Sequence, residues 1–118
     1  MQYAILVYEN RQGFENRTDE TNKAGYWAAY EAYHTALKKA GAIVGGAALQ
    51  PPCSSTTLQV HAGQRKVQDG PYADTKEQLG GFFLIDVPDL DTAMDWAAKC
   101  PAAEDGAVEV RPLLPMNN

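Results

Sequence analysis

The chain has 118 residues, of which 45% are hydrophobic and 21% are charged, and these proportions are typical of one globular domain rather than two. Ten basic against fifteen acidic residues give a formal net charge of −5, which argues against direct binding of nucleic acid or of anionic membranes. Two Trp, six Tyr and three Phe also argue against disorder. We therefore predict a single domain that spans residues 1–118.

Several other classes of protein lack support in the sequence. No apolar run approaches the roughly 20 residues of a membrane span, and the first residues lack the basic start of a signal peptide, so we expect a cytoplasmic protein. In that compartment Cys53 and Cys100 are predicted to be free thiols. The two histidines form no paired motif and no phosphate-binding glycine loop is present, so we expect neither a bound metal nor a cofactor.

The first half of the chain predicts a strand, a helix and a second strand. Residues 2–8 are continuously apolar, as in a strand buried on both faces, and the polar residues 9–19 predict a loop. Residues 42–49 predict the second strand. The helix is expected over about residues 20–40, before Gly41. Its inner face is indicated by residues at spacings of three and four, namely Tyr26, Tyr30, Tyr33, Leu37 and Ala40.

The second half predicts a hairpin, a strand, a helix and a last strand. Residues 56–61 and 65–69 are expected to pair around a turn at 62–64, and residues 80–87 form the strongest predicted strand. Residues 107–111 predict the last strand. Glycine pairs at 45–46 and 80–81 indicate close packing or bulges within strands. The helix is expected to start after the N-cap Asp89 and to end near Lys99, with an inner face of Leu90, Ala93, Met94 and Ala97.

This order of elements predicts an α+β fold, a ferredoxin-like βαββαβ protomer with an inserted β-hairpin arm. Right-handed crossovers place both helices on one face of the sheet. The other face is also apolar and needs a cover. A second copy packed sheet to sheet, as a homodimer, is the favoured solution. Another oligomer, or long loops folded over the face, are the alternatives.

The segment from Val67 to Asp86 is distinctive, with the sequence VQDGPYADTKEQLGGFFLID. It resembles the DGPF (DGPFAETKE) group of YCII-related proteins, from which it departs by Tyr72 in place of Phe and Asp74 in place of Glu. The resemblance extends upstream and downstream to Ala48–Pro51, Asp89–Asp91, Trp96-Ala97 and Val108–Pro112.

The resemblance implies a dimeric α/β barrel built from ferredoxin-like protomers. It also implies a regulatory alternative, because some members of the group look associated with extracytoplasmic-function sigma factors. The wider group has a proposed enzymatic site that pairs a His early in the first helix with an Asp from the sheet. Counting back from Gly41, that His position falls on Tyr30 here, so the pair is not reproduced.

Six residues are candidates for a site, and each has a structural alternative. Asp69, before the turn at Gly70, could act as a base or bind a hydroxyl, or it could only cap the turn through its own side chain. Tyr30 could donate a hydrogen bond to a substrate oxygen, or serve only as core. His34 could shuttle a proton near neutral pH, or be a surface group. The candidate ligand-binding residues of the next loop are Tyr72, Thr75 and Lys76, of which Lys76 could contact an anion or be solvated.

Three functions follow from these candidates. The first is a small-molecule enzyme of the acid/base type, with Asp69, Tyr30 and His34 in one cleft. The second is a non-catalytic ligand-binding or regulatory dimer, associated with a sigma factor. The third is a structural dimer in which the signature encodes only the turn. The enzyme interpretation requires Asp69 to line a cavity together with a second titratable group.

Overall fold

The computed structural model describes residues 1–116. In chain order its elements are β1 (Gln2–Glu9), α1 (Arg11–Asn16), α2 (Lys23–Lys39), β2 (Ile43–Ala48), β3 (Thr56–His61), β4 (Gln64–Asp69), β5 (Gln78–Asp86), α3 (Leu90–Ala98), α4 (Ala102–Asp105) and β6 (Ala107–Pro112). A single 3₁₀ turn, Pro52–Ser54, lies between β2 and β3.

Four strands form one antiparallel sheet in the order β2-β5-β1-β6, and β3 and β4 form a separate two-stranded arm. Without the arm, the strand order is that of a ferredoxin-like α+β protomer, so the predicted fold class and the inserted hairpin are confirmed. None of the helices in the described part of the chain is long and apolar enough to span a membrane.

The core lies between the sheet and the two longer helices. In β1 every second side chain, from Tyr3 through Ile5 to Val7, points to the helix side and is at most 3% exposed. These residues form one buried cluster with Tyr33 and Leu37 of α2. The strand alternation continues one step further, so that the charged Glu9 is also buried.

The opposite face of the sheet carries apolar side chains that are only partly buried. Ala4, Leu6 and Tyr8 alternate with the core residues of β1, and Leu84 pairs with Ala4 on β5. The molecule measures 48 × 47 × 19 Å, so its short dimension holds only one sheet and one helix layer. This outer face is the surface on which the sequence predicts a second copy.

Three parts of the sequence prediction were wrong. Ala40, predicted on the inner face of the first helix, is exposed and follows the last residue of α2. Residues 11–16 form α1 rather than a loop, because the side chain of Asn10 caps this short helix by accepting a hydrogen bond from the Gly13 amide at 2.8 Å. In α3, Leu90 and Met94 are about half exposed, although they were predicted to face inward. Ala93 and Ala97 are the buried residues of this helix, and Trp96 packs partly buried against the same core. The predicted N-cap is confirmed, because Asp89 accepts from the Thr92 amide.

Replacement of two glycines by alanine should have opposite effects on the free energy of unfolding. Gly25 lies within α2 and an added Cβ would meet nothing within 4 Å, so Gly25→Ala should stabilise by about 0.5–1 kcal/mol. At Gly106 an added Cβ would lie 2.1 Å from the Tyr8 carbonyl oxygen, so Gly106→Ala should destabilise by about 1–3 kcal/mol. Urea unfolding of both variants measures this, and effects of the same sign would contradict the close approach of Gly106 to the Tyr8 carbonyl.

Candidate functional site

A cavity of about 530 Å³ lies between α2 and the helix side of β2 and β5. This volume is within the range of pockets that hold small organic molecules. Its walls combine apolar and aromatic groups with one buried ion pair. The lining residues are Val7, Glu9, Arg17, Tyr26, Trp27, Tyr30, Glu31, His34, Gly45, Gly46, Ala47, Ala48, Gly80, Gly81, Phe82 and Phe83.

The sheet beneath the cavity carries small residues of β2 and β5, beside Val7 and Phe83. On the helix side, Gly46 pairs with Phe83, and Ala48 pairs with Gly81, which pairs in turn with Val7. A Cβ on Gly46 would lie 2.5 Å from the Phe82 carbonyl oxygen, and one on Gly81 would lie 2.8 Å from that of Ala47. Close packing is therefore confirmed at Gly46 and Gly81, whereas Gly45 has nothing within 4 Å and lies at a shift of register, as at a bulge.

A buried ion pair closes one end of the cavity. Oε1 of Glu9 lies 2.9 Å from Nη2 of Arg17, and the two side chains are only 6% and 9% exposed. Such a pair requires that its remaining polar atoms find partners, since desolvation of two charges costs several kcal/mol per ion. Arg17 lies just after α1, so this short helix places the guanidinium over the end of β1.

Most hydrogen atoms of the Arg17 guanidinium are used within the protein. Nε donates to the Tyr26 hydroxyl at 2.9 Å, Nη2 donates to the Gly80 carbonyl at 2.9 Å as well as to Glu9, and Nη1 donates to the Leu49 carbonyl. Four of the five donors of an arginine are thus occupied. Burial opposes the charge of Arg17, but the hydrogen bonds and the attraction of Tyr26 and Glu9 outweigh it and raise the pKa of Arg17.

Two tyrosines of α2 complete the cluster around Glu9. The Tyr26 hydroxyl donates to the Glu9 carboxylate at 2.7 and 2.8 Å, whereas the Tyr30 hydroxyl is 3.4 Å from Oε2. Burial and the hydrogen bond to Glu9 raise the pKa of Tyr26 to about 12. Burial and the negative charge of Glu9 raise the pKa of Tyr30 well above its ordinary value. Both side chains are therefore neutral hydrogen-bond donors at physiological pH.

The structure brings two of the three predicted catalytic residues together. Tyr30 and His34 are one turn apart on α2, and both line the cavity. His34 is exposed at its edge, next to the position of Glu31. Asp69 is exposed at the end of β4 and does not line the cavity with them, so the enzyme interpretation in its predicted form, with Asp69 in the same cleft, is wrong. Any acid/base site in this cavity has to work without Asp69.

The predicted ligand-binding residues lie elsewhere. Tyr72 and Thr75 line a groove of about 520 Å³ that also includes Tyr8 and Leu79, which pair on the outer face of the sheet. Lys76 lies in another depression, with Cys53. The part of the signature segment that contains Tyr72, Thr75 and Lys76 therefore lies outside the cavity beside α2, whereas Gly80–Phe83 of the same segment line it. Among residues 1–116, no three His, Cys, Asp or Glu side chains come together as a metal site would require.

Glu9 and Arg17 were missed by the sequence prediction, which assigned both to a polar loop. The alternation Tyr3, Ile5, Val7 contained the signal for Glu9, because the next position inward is residue 9. The sequence held no comparable signal for Arg17. Its position depends on α1, which the sequence prediction did not include.

Comparisons with known proteins agree with this architecture. The model of the YCII-related domain matches residues 1–117, and the chain belongs to this family. An uncharacterized protein of Rhizobium meliloti (strain 1021) is 38% identical over 118 residues, which cover 96% of this chain and 92% of the relative. The predicted family is thus confirmed.

A solved structure with the same fold is 5-chloro-2-hydroxyhydroquinone dehydrochlorinase (TftG) from Burkholderia phenoliruptrix AC1100, in complex with 2,5-dihydroxybenzoquinone. It superposes with a TM-score of 0.55 and 20% sequence identity, over 97% of this chain and 94% of the other. At this identity the similarity establishes the fold alone.

Removal of the Arg17 side chain should destabilise the protein strongly. Arg17→Met leaves the buried Glu9 charge without its partner, so we expect a loss of about 3–5 kcal/mol in the free energy of unfolding. Arg11→Met is the matched control. It breaks an exposed pair with Glu15, which should cost less than about 1 kcal/mol. Equal losses in chemical denaturation would show that the Glu9–Arg17 pair is not a buried pair in solution.

The tyrosines of α2 should ionise at a higher pH than free tyrosine, and the free energy of unfolding should therefore fall at alkaline pH. Tyr26, Tyr30 and Tyr33 all have a pKa raised above the ordinary 10.0, mainly by burial. A raised folded-state pKa stabilises the protein below pH 10, and this contribution is lost as the pH rises through about 12, the pKa of Tyr26. Absorbance at 295 nm should show fewer tyrosinates at pH 11 in the folded than in the urea-unfolded protein. Identical titration curves would contradict the buried cluster.

Proposed function

We propose that this protein is a small-molecule enzyme that transfers protons in the cavity beside α2. The observation that carries the proposal is the convergence of Tyr30 and His34, one turn apart, on a cavity of about 530 Å³ that ends at a buried carboxylate. A concave apolar site with a few converging polar groups and raised pKa values is the usual setting for such chemistry.

The residues that line the cavity would have separate roles in proton transfer. His34 accepts or returns a proton, because an imidazole is the side chain that most often serves as a general acid or base. Tyr30 donates its hydroxyl hydrogen to a substrate oxygen on which negative charge develops, since its raised pKa keeps it protonated. Glu9 positions Tyr30 and Tyr26, and Arg17 holds Glu9. Trp27 and Phe83 exclude water from part of the cavity.

The structural neighbour supports this class of function without fixing a reaction. TftG, on the same fold, is described as a dehydrochlorinase and was solved with a small ring compound bound. Proton removal is a step that an acid/base site could supply for many substrates. We therefore propose proton transfer as the class of reaction, and dehydrochlorination, the reaction of TftG, is not part of the proposal.

A non-catalytic ligand-binding or regulatory role, associated with a sigma factor, is the second candidate. One observation favours it: the carboxylate predicted as the base, Asp69, is exposed and apart from Tyr30 and His34. In that case the cavity would hold a ligand without converting it. The two candidates differ in whether bound compounds undergo proton transfer.

The test is a panel of small hydroxylated benzenes and benzoquinones, scored by thermal shift and then by NMR in D₂O. We expect at least one compound to stabilise the protein, by about 2.7 kcal/mol at a hundredfold excess over its Kd, and to exchange a carbon-bound hydrogen for deuterium. His34→Gln should keep the binding and slow the exchange by roughly 100-fold or more. Binding without exchange in the unmodified protein would support the regulatory alternative.

Ala→Leu variants locate the binding. Ala48→Leu places a larger side chain on the cavity floor and should abolish the thermal shift. Ala28→Leu makes the same change at an exposed position of α2 that does not line the cavity, and it should preserve the shift. An unchanged thermal shift in Ala48→Leu would mean that the ligand binds elsewhere, and it would contradict the proposed site.

We also propose that the protein forms a homodimer through the outer face of the sheet. The half-buried Leu6, Tyr8 and Leu84 on this face are continuous with the groove that contains Tyr72 and Thr75. The arm adds Leu58 and Val67, which are paired across its strands and more than half exposed. The apolar side chains of the outer face, the groove and the arm would together form the contact surface with the second copy.

Leu6→Glu should convert the dimer into a monomer, because it places a charge in the centre of the outer face. The molecular mass measured by analytical ultracentrifugation should fall from twice the chain mass of 12.8 kDa to the chain mass itself. Leu90→Glu is the control, since Leu90 is exposed on α3, away from the outer face. A monomeric unmodified protein, or dissociation in the control, would contradict this proposal.

A further inference from the structure

We infer that the cavity selects an uncharged ring compound by one hydroxyl group, which donates to Glu9 and accepts from Tyr30. This inference rests on the proposed function, since it names the class of molecule for the same cavity. Three features of the cavity support it: the ion pair between Arg17 and Glu9, the long contact between Tyr30 and Glu9, and the glycines in the sheet beneath.

The charges of the cavity disfavour an anion. Among the described residues, the basic side chains that line it are Arg17 and His34, and the acidic ones are Glu9 and Glu31. Arg17 already donates to four oxygen acceptors, one of them the Glu9 carboxylate. No lysine is among the lining residues, and Lys76 lies in a different depression. Because Arg17 and Glu9 compensate each other, a phosphate or carboxylate would meet the remaining acidic group, Glu31, with only His34 beside it.

The hydrogen bonds of Glu9 leave room for one more donor. Tyr26 binds the carboxylate at 2.7 and 2.8 Å, within the usual range for an O–H···O bond. The Tyr30 hydroxyl lies 3.4 Å from Oε2, beyond that range. The weak contact leaves the Tyr30 hydrogen available to another acceptor, and it leaves Oε2 available to another donor.

A hydroxyl group fits between these two side chains, because it carries one donor hydrogen and two acceptor lone pairs. It would donate to Oε2 of Glu9 and accept from Tyr30, so that both protein groups gain a full hydrogen bond. An ether or a carbonyl oxygen can only accept, and it would face the carboxylate with a lone pair. A carboxylate would add its charge to that of Glu9.

The walls favour a flat ring as the body of the ligand. The floor at Gly46 and Gly81 is bare backbone, and an added Cβ there would clash with the neighbouring strand. Phe83 and Trp27 provide aromatic surfaces at the sides. A planar ring can approach such a floor closely and contact the aromatic edges, whereas a bulky aliphatic group would be held away from it.

Three probes of similar size test the inference: phenol, anisole and benzoate. Phenol is uncharged at neutral pH and can both donate and accept, anisole can only accept, and benzoate is an anion. Their Kd values would be measured by titration into ¹⁵N-labelled protein, with the amides of Gly46 and Gly81 as reporters. We expect phenol to bind at least about tenfold more tightly than anisole, and benzoate to bind most weakly.

Two Tyr→Phe variants identify the group responsible. Tyr30→Phe should reduce the preference for phenol over anisole at least severalfold. Tyr33→Phe changes the same helix but removes a hydroxyl that binds the Trp96 carbonyl in the core, so it should leave the preference unchanged. Equal affinities for phenol and anisole, or tightest binding of benzoate, would overturn the inference while cavity binding itself stands. Absence of binding by all three would overturn it too, and the deuterium-exchange panel would then judge the proposed function separately.

Discussion

The burial of one carboxylate is the constraint on which the rest of the site depends. Strand alternation in β1 carries Glu9 to the same side as Tyr3, Ile5 and Val7, where it is only 5% exposed. A carboxylate in such a position must have a cation and hydrogen-bond donors close by, or the fold would lose several kcal/mol. Arg17 and Tyr26 meet this requirement, both within 3 Å.

This requirement also explains features that lie far apart in the chain. Helix α1 exists where a loop was expected, and it delivers Arg17 to the end of β1. Gly80 has to lack a side chain, because a Cβ there would lie 2.9 Å from Oε1 of Glu9 and 3.0 Å from Nη2 of Arg17. The Leu49 carbonyl at the end of β2 accepts from the same guanidinium. One ion pair therefore joins the ends of β1, β2, β5 and α1 at the closed end of the cavity.

The fold could be predicted from the sequence because its signals are local and periodic. The spacing of Tyr26, Tyr30 and Tyr33 predicted α2, and the apolar runs predicted the strands of the sheet. The candidate site was predicted only in part. Tyr30 and His34 share a helix face, which periodicity reveals. Glu9 and Arg17 meet through a short capped helix, and Asp69 lies apart from them because the arm forms its own sheet.

The central claim is that Glu9 and Arg17 act as one unit that organises the site. A double-mutant cycle of Glu9→Gln and Arg17→Met, measured by urea unfolding, tests it most directly. The account predicts that the double variant is more stable than the sum of the single losses implies, with a coupling energy of about 1–3 kcal/mol. Single losses that add to within about 0.5 kcal/mol would show that the two residues act independently, and would contradict the account.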